Sequence, residues 1–204
     1  MRLIGTIARL QVQEVSLKVA GPRWRRYDPA GLRSVPVLEL NDGGVRGWTS
    51  EETPFDDVHH RDHPASKNRG GENGISVCFT SHYGAMRERF GAHLPDGIAG
   101  ENILVETDAL LTESDLAGGI VVMTADGREI RLDQIFPAAP CVEFSRYALR
   151  FPDDARPDET VAEALRFLND GTRGYYASYH GPAVRITLGD RVLAREAERR
   201  TDGQ

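Results

Sequence analysis

Residues 120–135, IVVMTADGREIRLDQI, decide the fold class. Two apolar-rich runs, Ile120 to Thr124 and Glu129 to Ile135, flank Ala125-Asp126-Gly127-Arg128, and an Asp-Gly pair between two such runs is the signature of a tight turn joining paired strands. Moving outward, Gly74 to Thr80 puts Ile75, Val77 and Phe79 on one face and Ser76 and Cys78 on the other, so it reads as a strand with Cys78 in the core. Ile103 to Thr107, Gly174 to Tyr179 and Val184 to Leu188 carry strand patterning too, the last ending at the turn Gly189-Asp190.

The region from Leu3 to Val19 favours a strand or hairpin, and Ser34 to Leu40 another strand, with Val35, Val37 and Leu38 as buried candidates before the turn Asn41-Asp42-Gly43-Gly44. Two helices interrupt this pattern. Ser81 can cap one over about 82–90 that Gly91 ends, and Thr160 with Glu163 has capping-box spacing ahead of an apolar stripe of Val161, Ala164, Leu165 and Leu168. Between Trp48 and Asn73 the chain is polar and too long for a routine connection, which makes it a disordered segment or a functional loop. No second core and no repeat is visible. The expectation is a mainly β chain with a few helices, β-barrel-like, forming a single domain over 1–196 with 197–204 as a tail.

At 204 residues, 40% hydrophobic and 27% charged, the chain can bury a sizeable core. A net charge of −6 and a pI near 5.5 argue against nucleic-acid binding, although a local basic pocket for one small anion is compatible with them. Lys18 and Lys67 are the only lysines, so the cationic groups are mostly arginine forks suited to phosphate or carboxylate, a bias that genome composition also explains. The opening residues carry no apolar stretch after their charge, and no later window is long and apolar enough to span a membrane, so a cytoplasmic location is expected. Two cysteines, Cys78 and Cys141, make no disulfide framework.

An ordered set of short motifs goes further: Asp57-Val58-His59-His60, Ser81-His82-Tyr83, Phe90-Gly91, Gly100-Glu101-Asn102-Ile103, Pro140-Cys141, Gly171-Thr172-Arg173-Gly174-Tyr175-Tyr176 and Gly189-Asp190. Together and in this order they resemble the MOSC domain family across nearly the whole chain. The resemblance implies a barrel-like fold related to the C-terminal domain of molybdenum cofactor sulfurase and to amidoxime-reducing molybdenum proteins. It also implies a molybdenum–molybdopterin ligand and a cysteine, here Cys141, that binds the metal or carries sulfur. The chain departs from the family where Arg61-Asp62-His63-Pro64 follows the histidines in place of a glycine pair. It also lacks the large pyridoxal-phosphate desulfurase domain of full-length sulfurases, and neither lysine sits in a recognisable motif for that cofactor, so pyridoxal phosphate is not expected to be bound covalently here.

The candidate site residues follow. Cys141, held at a loop edge by the prolines before it, can ligate molybdenum through a soft thiolate or accept sulfur as a persulfide; otherwise it is an inert cysteine opening a strand with Val142 and Phe144. His59 and His60 can hydrogen-bond a ligand, one of them as proton donor, and the His59–His63 loop can alternatively hold a transition metal or be merely solvated. Asn102 in its glycine turn contacts a ligand or bonds the backbone. Arg173 clamps a phosphate, with Tyr175 beside it, or pins the helix to the sheet through a salt bridge. Lys67 and Arg69 lie in the histidine loop and suit an anionic cofactor. A cofactor-dependent oxidoreductase acting on a small molecule such as an N-hydroxylated compound, a sulfur carrier loaded by a separate cysteine desulfurase, and a noncatalytic binder of a small anion or a protein are the three readings. The first needs an external electron-transfer protein, since the chain has neither an iron–sulfur cysteine set nor a dinucleotide fingerprint.

Overall fold

The computed structural model describes residues 1–49, 53–68, 70 and 74–196. Strand β1 (Arg2–Gln13) is followed by the short pair β2 (Lys18–Val19) and β3 (Arg26–Tyr27), then by β4 (Leu32–Ser34), β5 (Val37–Asn41), β6 (Gly44–Trp48) and β7 (Phe55–Asp56). Next come β8 (Ile75–Phe79), helix α1 (Thr80–Phe90), β9 (Ile103–Glu106), α2 (Glu113–Leu116), β10 (Ile120–Met123) and β11 (Glu129–Pro137). Helices α3 (Val142–Ala148) and α4 (Glu159–Leu168) precede β12 (Tyr175–Ser178), β13 (Val184–Thr187) and β14 (Arg191–Ala194).

Seven strands, in the order β14-β10-β11-β12-β8-β9-β1, close into a barrel because β1 also pairs with β14. The barrel pairings are antiparallel except β8 with β9, whose parallel connection runs through α1. The hairpin read from residues 120–135 is β10–β11, with Ile120 opposite Leu132 and Met123 opposite Glu129. A four-stranded sheet, β13-β5-β6-β7, packs on the barrel.

Period-two alternation divides the interior into two clusters. Ile75, Val77 and Phe79 of β8, with Ile103 and Val105 of β9, join the barrel core, to which Leu38, Leu40 and Ile186 of the smaller sheet contribute. Cys78 and Leu104 point to the opposite face, where Tyr83 and Met86 of α1, Phe144 of α3 and Leu168 of α4 cover them. Both faces of β8 are therefore buried, and Cys78 is a core residue whose thiol burial pushes well up.

Several local expectations shift. The opening region is one long strand, bulged between Leu3 and Gly5 and between Ile7 and Arg9. In β5 it is Leu38 and Leu40 that face inward, with Val37 only half-buried, because Val35 belongs to the link before Pro36 and the phase changes there. Helix α1 starts at Thr80, and Ser81 is not its cap: its hydroxyl donates to the Ala109 carbonyl (2.8 Å). Asp158, rather than Thr160, caps α4, accepting from the amides of Thr160 and Val161. After Cys141 the chain forms helix α3, not a strand; two prolines remove ladder donors, and Cys141 itself takes the N-cap position. Within the polar stretch, β7 pairs with β6, and residues 57–66 form successive tight turns, closed by His60 N–H to Asp57 O (2.8 Å), His63 N–H to His60 O (3.0 Å) and Ser66 N–H to His63 O (2.9 Å).

Candidate functional site

A buried polar hub anchors the site. Asp57, fully buried, accepts four hydrogen bonds: from the amides of Gln13 (2.7 Å) and His59 (2.8 Å), from Asn102 Nδ2 (2.9 Å) and from His59 Nδ1 (2.8 Å). Asn102 Oδ1 in turn accepts from the Ser76 amide (3.0 Å) and hydroxyl (2.8 Å), while its Nδ2 also reaches the Gln11 carbonyl (3.3 Å). An ionised carboxylate can only accept, so His59 must carry its proton on Nδ1, which leaves Nε2 for the cleft that its ring lines.

That cleft, about 230 Å³, lies where the turns after β7, the 97–102 turn, the segment entering α3 and the α4–β12 connection meet. His59, Lys67, Cys141 and Arg173 line it together with Lys18, Arg25 and Tyr176. Gly100 forms part of its lining at φ +87°, a backbone conformation that favours glycine, and a Cβ there would also press on the side-chain ends of Gln13 and Leu17. Cys141 is half-buried, and its sulfur accepts the Phe144 amide at 3.4 Å, which orients it at the start of α3.

Arg173 is the electrostatic feature of the cleft. Its Nη2 donates to the Ala99 carbonyl (2.8 Å), its Nε is buried without a partner, and among the described residues no carboxylate lies within ion-pair distance. The alternative of a salt bridge pinning helix to sheet is not what the described residues show: Arg173 holds a carbonyl, and the cation stays available. Below it sits Glu101, buried with Oε2 accepting from the Tyr83 hydroxyl (2.9 Å) and Oε1 unpartnered. Burial pushes this carboxyl up to about 7, against the Tyr83 hydrogen bond and the Arg173 charge, both of which pull it down.

Three anticipated residues are not in the cleft. His60 is buried with Nδ1 accepting the Asp62 amide (3.1 Å) and Nε2 therefore donating to Asn41 Oδ1 (3.0 Å); burial lowers its basicity, and it fastens the loop to the β5–β6 turn. Asn102 serves the hub. Tyr175 is buried, donates to the Leu111 carbonyl (3.1 Å) and packs near Phe79, while its neighbour Tyr176 faces the cleft because side chains alternate along β12. Arg69 lies outside the described residues. Among the described residues no group of three or more His, Cys, Asp or Glu side chains is arranged to hold a metal ion, and His63 turns its Nδ1 to the Ala65 amide.

Asp57, Tyr176, Lys18 and Arg25 are the residues that sequence reading did not select. Asp57 stood in a motif but had no assigned partner. The strand period of β12 signals that Tyr175 and Tyr176 face opposite ways, but which of them faces the cleft follows only from the packing. Nothing local marks Lys18 and Arg25, since β2 and β3 meet the cleft only in the folded chain.

No curated protein matches the sequence. Among solved structures, the YUAD protein from Bacillus subtilis superposes with a TM-score of 0.59 at 11% identity, covering 94% of this chain and 96% of that one. A hypothetical protein of known crystal structure superposes at 0.53 and 13% identity, over 97% of this chain and 71% of that chain. These likenesses concern the fold. The sequence itself matches the MOSC domain over residues 57–193, which takes in His59, Glu101, Cys141 and Arg173. The chain belongs to the MOSC domain family, a family associated with the molybdenum cofactor.

Proposed function

We propose that the cleft binds a molybdenum–pterin cofactor, with the Cys141 thiolate as a ligand of the metal. The observation that carries this reading is the meeting, in one cleft, of an accessible thiol and an Arg173 guanidinium that has no carboxylate of its own. The donor chemistry fits such a group: a soft sulfur suits molybdenum, and the planar fork of Arg173, with Lys67, Lys18 and Arg25 around it, suits a phosphate. Bound there, the cofactor would supply two-electron redox chemistry at the metal.

The chain's own residues then bind and orient. Arg173, fixed through Ala99 O, offers its remaining N–H groups to the anionic end, and Tyr176 presents a ring to the cleft. His59, its ring set by Asp57, can hold a proton on Nε2 and deliver it to a substrate atom. The substrate class assigned is N-hydroxylated small molecules, which lose their hydroxyl oxygen as water on taking up two electrons and two protons; the electrons come from a separate electron-transfer protein.

Elemental and pterin analysis of protein made in a cofactor-producing host, beside a Cys141→Ser variant checked for folding, tests this. Molybdenum and pterin in the wild type, with the metal lost from the variant, is the expected result. Folded wild type that carries neither, and takes up neither on reconstitution, overturns it and leaves a persulfide on Cys141 or simple anion binding as the use of the cleft.

A further inference from the structure

A second cavity, about 520 Å³, opens on the far side of Tyr27, whose ring is shared with the cleft. Arg26, Arg146 and Arg150 line it against the carboxylates Glu143 and Asp153, with His93 and Phe151. Arg146 is the unusual member. It sits within α3, is 4% exposed, and its guanidinium is hydrogen-bonded to carbonyls only, Nη2 to Pro152 (2.7 Å) and Ala155 (3.3 Å) and Nη1 to Arg25 (3.4 Å), while lying over the Phe151 ring at 5.6 Å. Its Nε has no partner, and among the described residues no carboxylate comes within ion-pair distance of it. His93 Nε2, in the same lining, is also buried and unpartnered.

The neighbouring charges do not answer this cation. Glu143 is engaged by Arg25 (3.8 Å), and Arg26 by Asp28 (3.1 Å). Three arginines against the two carboxylates Glu143 and Asp153 leave the lining with net positive charge. Arg150 adds a second, independent observation: it follows α3 at φ +52°, a left-handed position where glycine is the usual residue, yet an exposed arginine is kept there at the mouth of the cavity. A desolvated cation without a counter-ion and a strained cation beside it are the two halves of an anion receptor.

We infer that this second cavity binds a small oxyanion, the phosphate or carboxylate group of a metabolite, at a site separate from the cleft. Arg146 supplies a fixed charge, Arg150 an adjustable fork that closes over the ligand, and His93 a further nitrogen at its edge. Because Cys141 caps α3 and the helix contains Arg146, a ligand here also bears on the helix that positions the thiol.

Amide NMR of the full chain, titrated with sodium phosphate and separately with sodium acetate against sodium chloride at matched ionic strength, tests the assignment. Saturable shifts centred on His93, Arg150 and Phe151 are expected, about tenfold weaker in affinity in Arg150→Gly and unchanged in Arg173→Gln. Glycine is at home at that φ, so the Arg150→Gly variant folds, whereas Arg146→Gln would strip carbonyl contacts and confound binding with stability. A response to phosphate alone assigns a phosphate-bearing ligand, and a response to both admits a carboxylate. Shifts matched by chloride, shifts indifferent to Arg150→Gly, or shifts that vanish in Arg173→Gln each overturn the proposal.

Discussion

The hub around Asp57 and the cleft beside it use similar residue types to opposite ends. In the hub every polar atom of Asp57 and Asn102 has a partner, at 2.7 to 3.3 Å, and neither side chain reaches solvent. At the cleft, Arg173 Nε and Oε1 of Glu101, the chain neighbour of the cleft-lining Gly100, are buried without partners, and Cys141 keeps part of its surface open. Satisfied groups fix a geometry; unsatisfied ones are held ready for something that is not part of the chain. The hub is what lets the cleft remain unsatisfied, since it locks β8, the 97–102 turn and His59 to one another.

The largest effect is expected from breaking the hub. Asn102→Ala leaves the Ser76 amide and hydroxyl without their acceptor and takes from one oxygen of Asp57 one of its two donors, the Gln13 amide remaining, and should cost about 3–5 kcal/mol of stability by denaturant unfolding. A loss below about 1 kcal/mol would mean that water replaces Asn102 and that the hub is not the scaffold described.

The two cysteines sharpen the same contrast. Cys78→Ser places a hydroxyl in an apolar cluster and should cost about 1–3 kcal/mol, whereas Cys141→Ser should stay within about 1 kcal/mol of wild type. Equal costs at the two positions would make Cys141 a packing residue.

Glu101→Gln probes the buried carboxyl next to the cleft-lining Gly100 through pH. Because the folded carboxyl titrates near 7, above its ordinary value of 4.5, its protonated form favours the fold; that contribution is complete below about 4.5 and is lost as pH rises through about 7. The amide does not titrate, so the variant should gain about 1–3 kcal/mol relative to wild type at pH 8 and nothing at pH 4, as read from paired unfolding curves. A difference independent of pH would place the Glu101 proton outside the folding equilibrium.

Much of the fold was legible because it rests on local signals. Alternation in 74–80, the Asp-Gly turn at 126–127 and the stripe from Val161 to Leu168 each act over a few residues, and the structure keeps them. The family motifs led to Cys141, Arg173 and His59, and the histidine loop to Lys67, all of which the folded chain brings to one cleft. What escaped depends on distant partners. His60 resembles His59 in sequence, and only Asn41 and Asp57 distinguish them. The helix at Cys141 is set by packing of Phe144 on Tyr27, with ring centroids 5.1 Å apart, a contact across more than half the chain that no local pattern announces.

Barrel closure carries its own consequence. Residues 2–6 of β1 pair with 191–194 of β14, so a nascent chain cannot complete the barrel until β14 has left the ribosome. Until then the N-terminal part of β1 presents an open edge, with Ile4 and Ile7 destined for the core. Synthesis therefore passes through an interval in which shielding of that edge governs yield, and refolding of the finished chain should be slow for its size because its decisive contact is also its most remote.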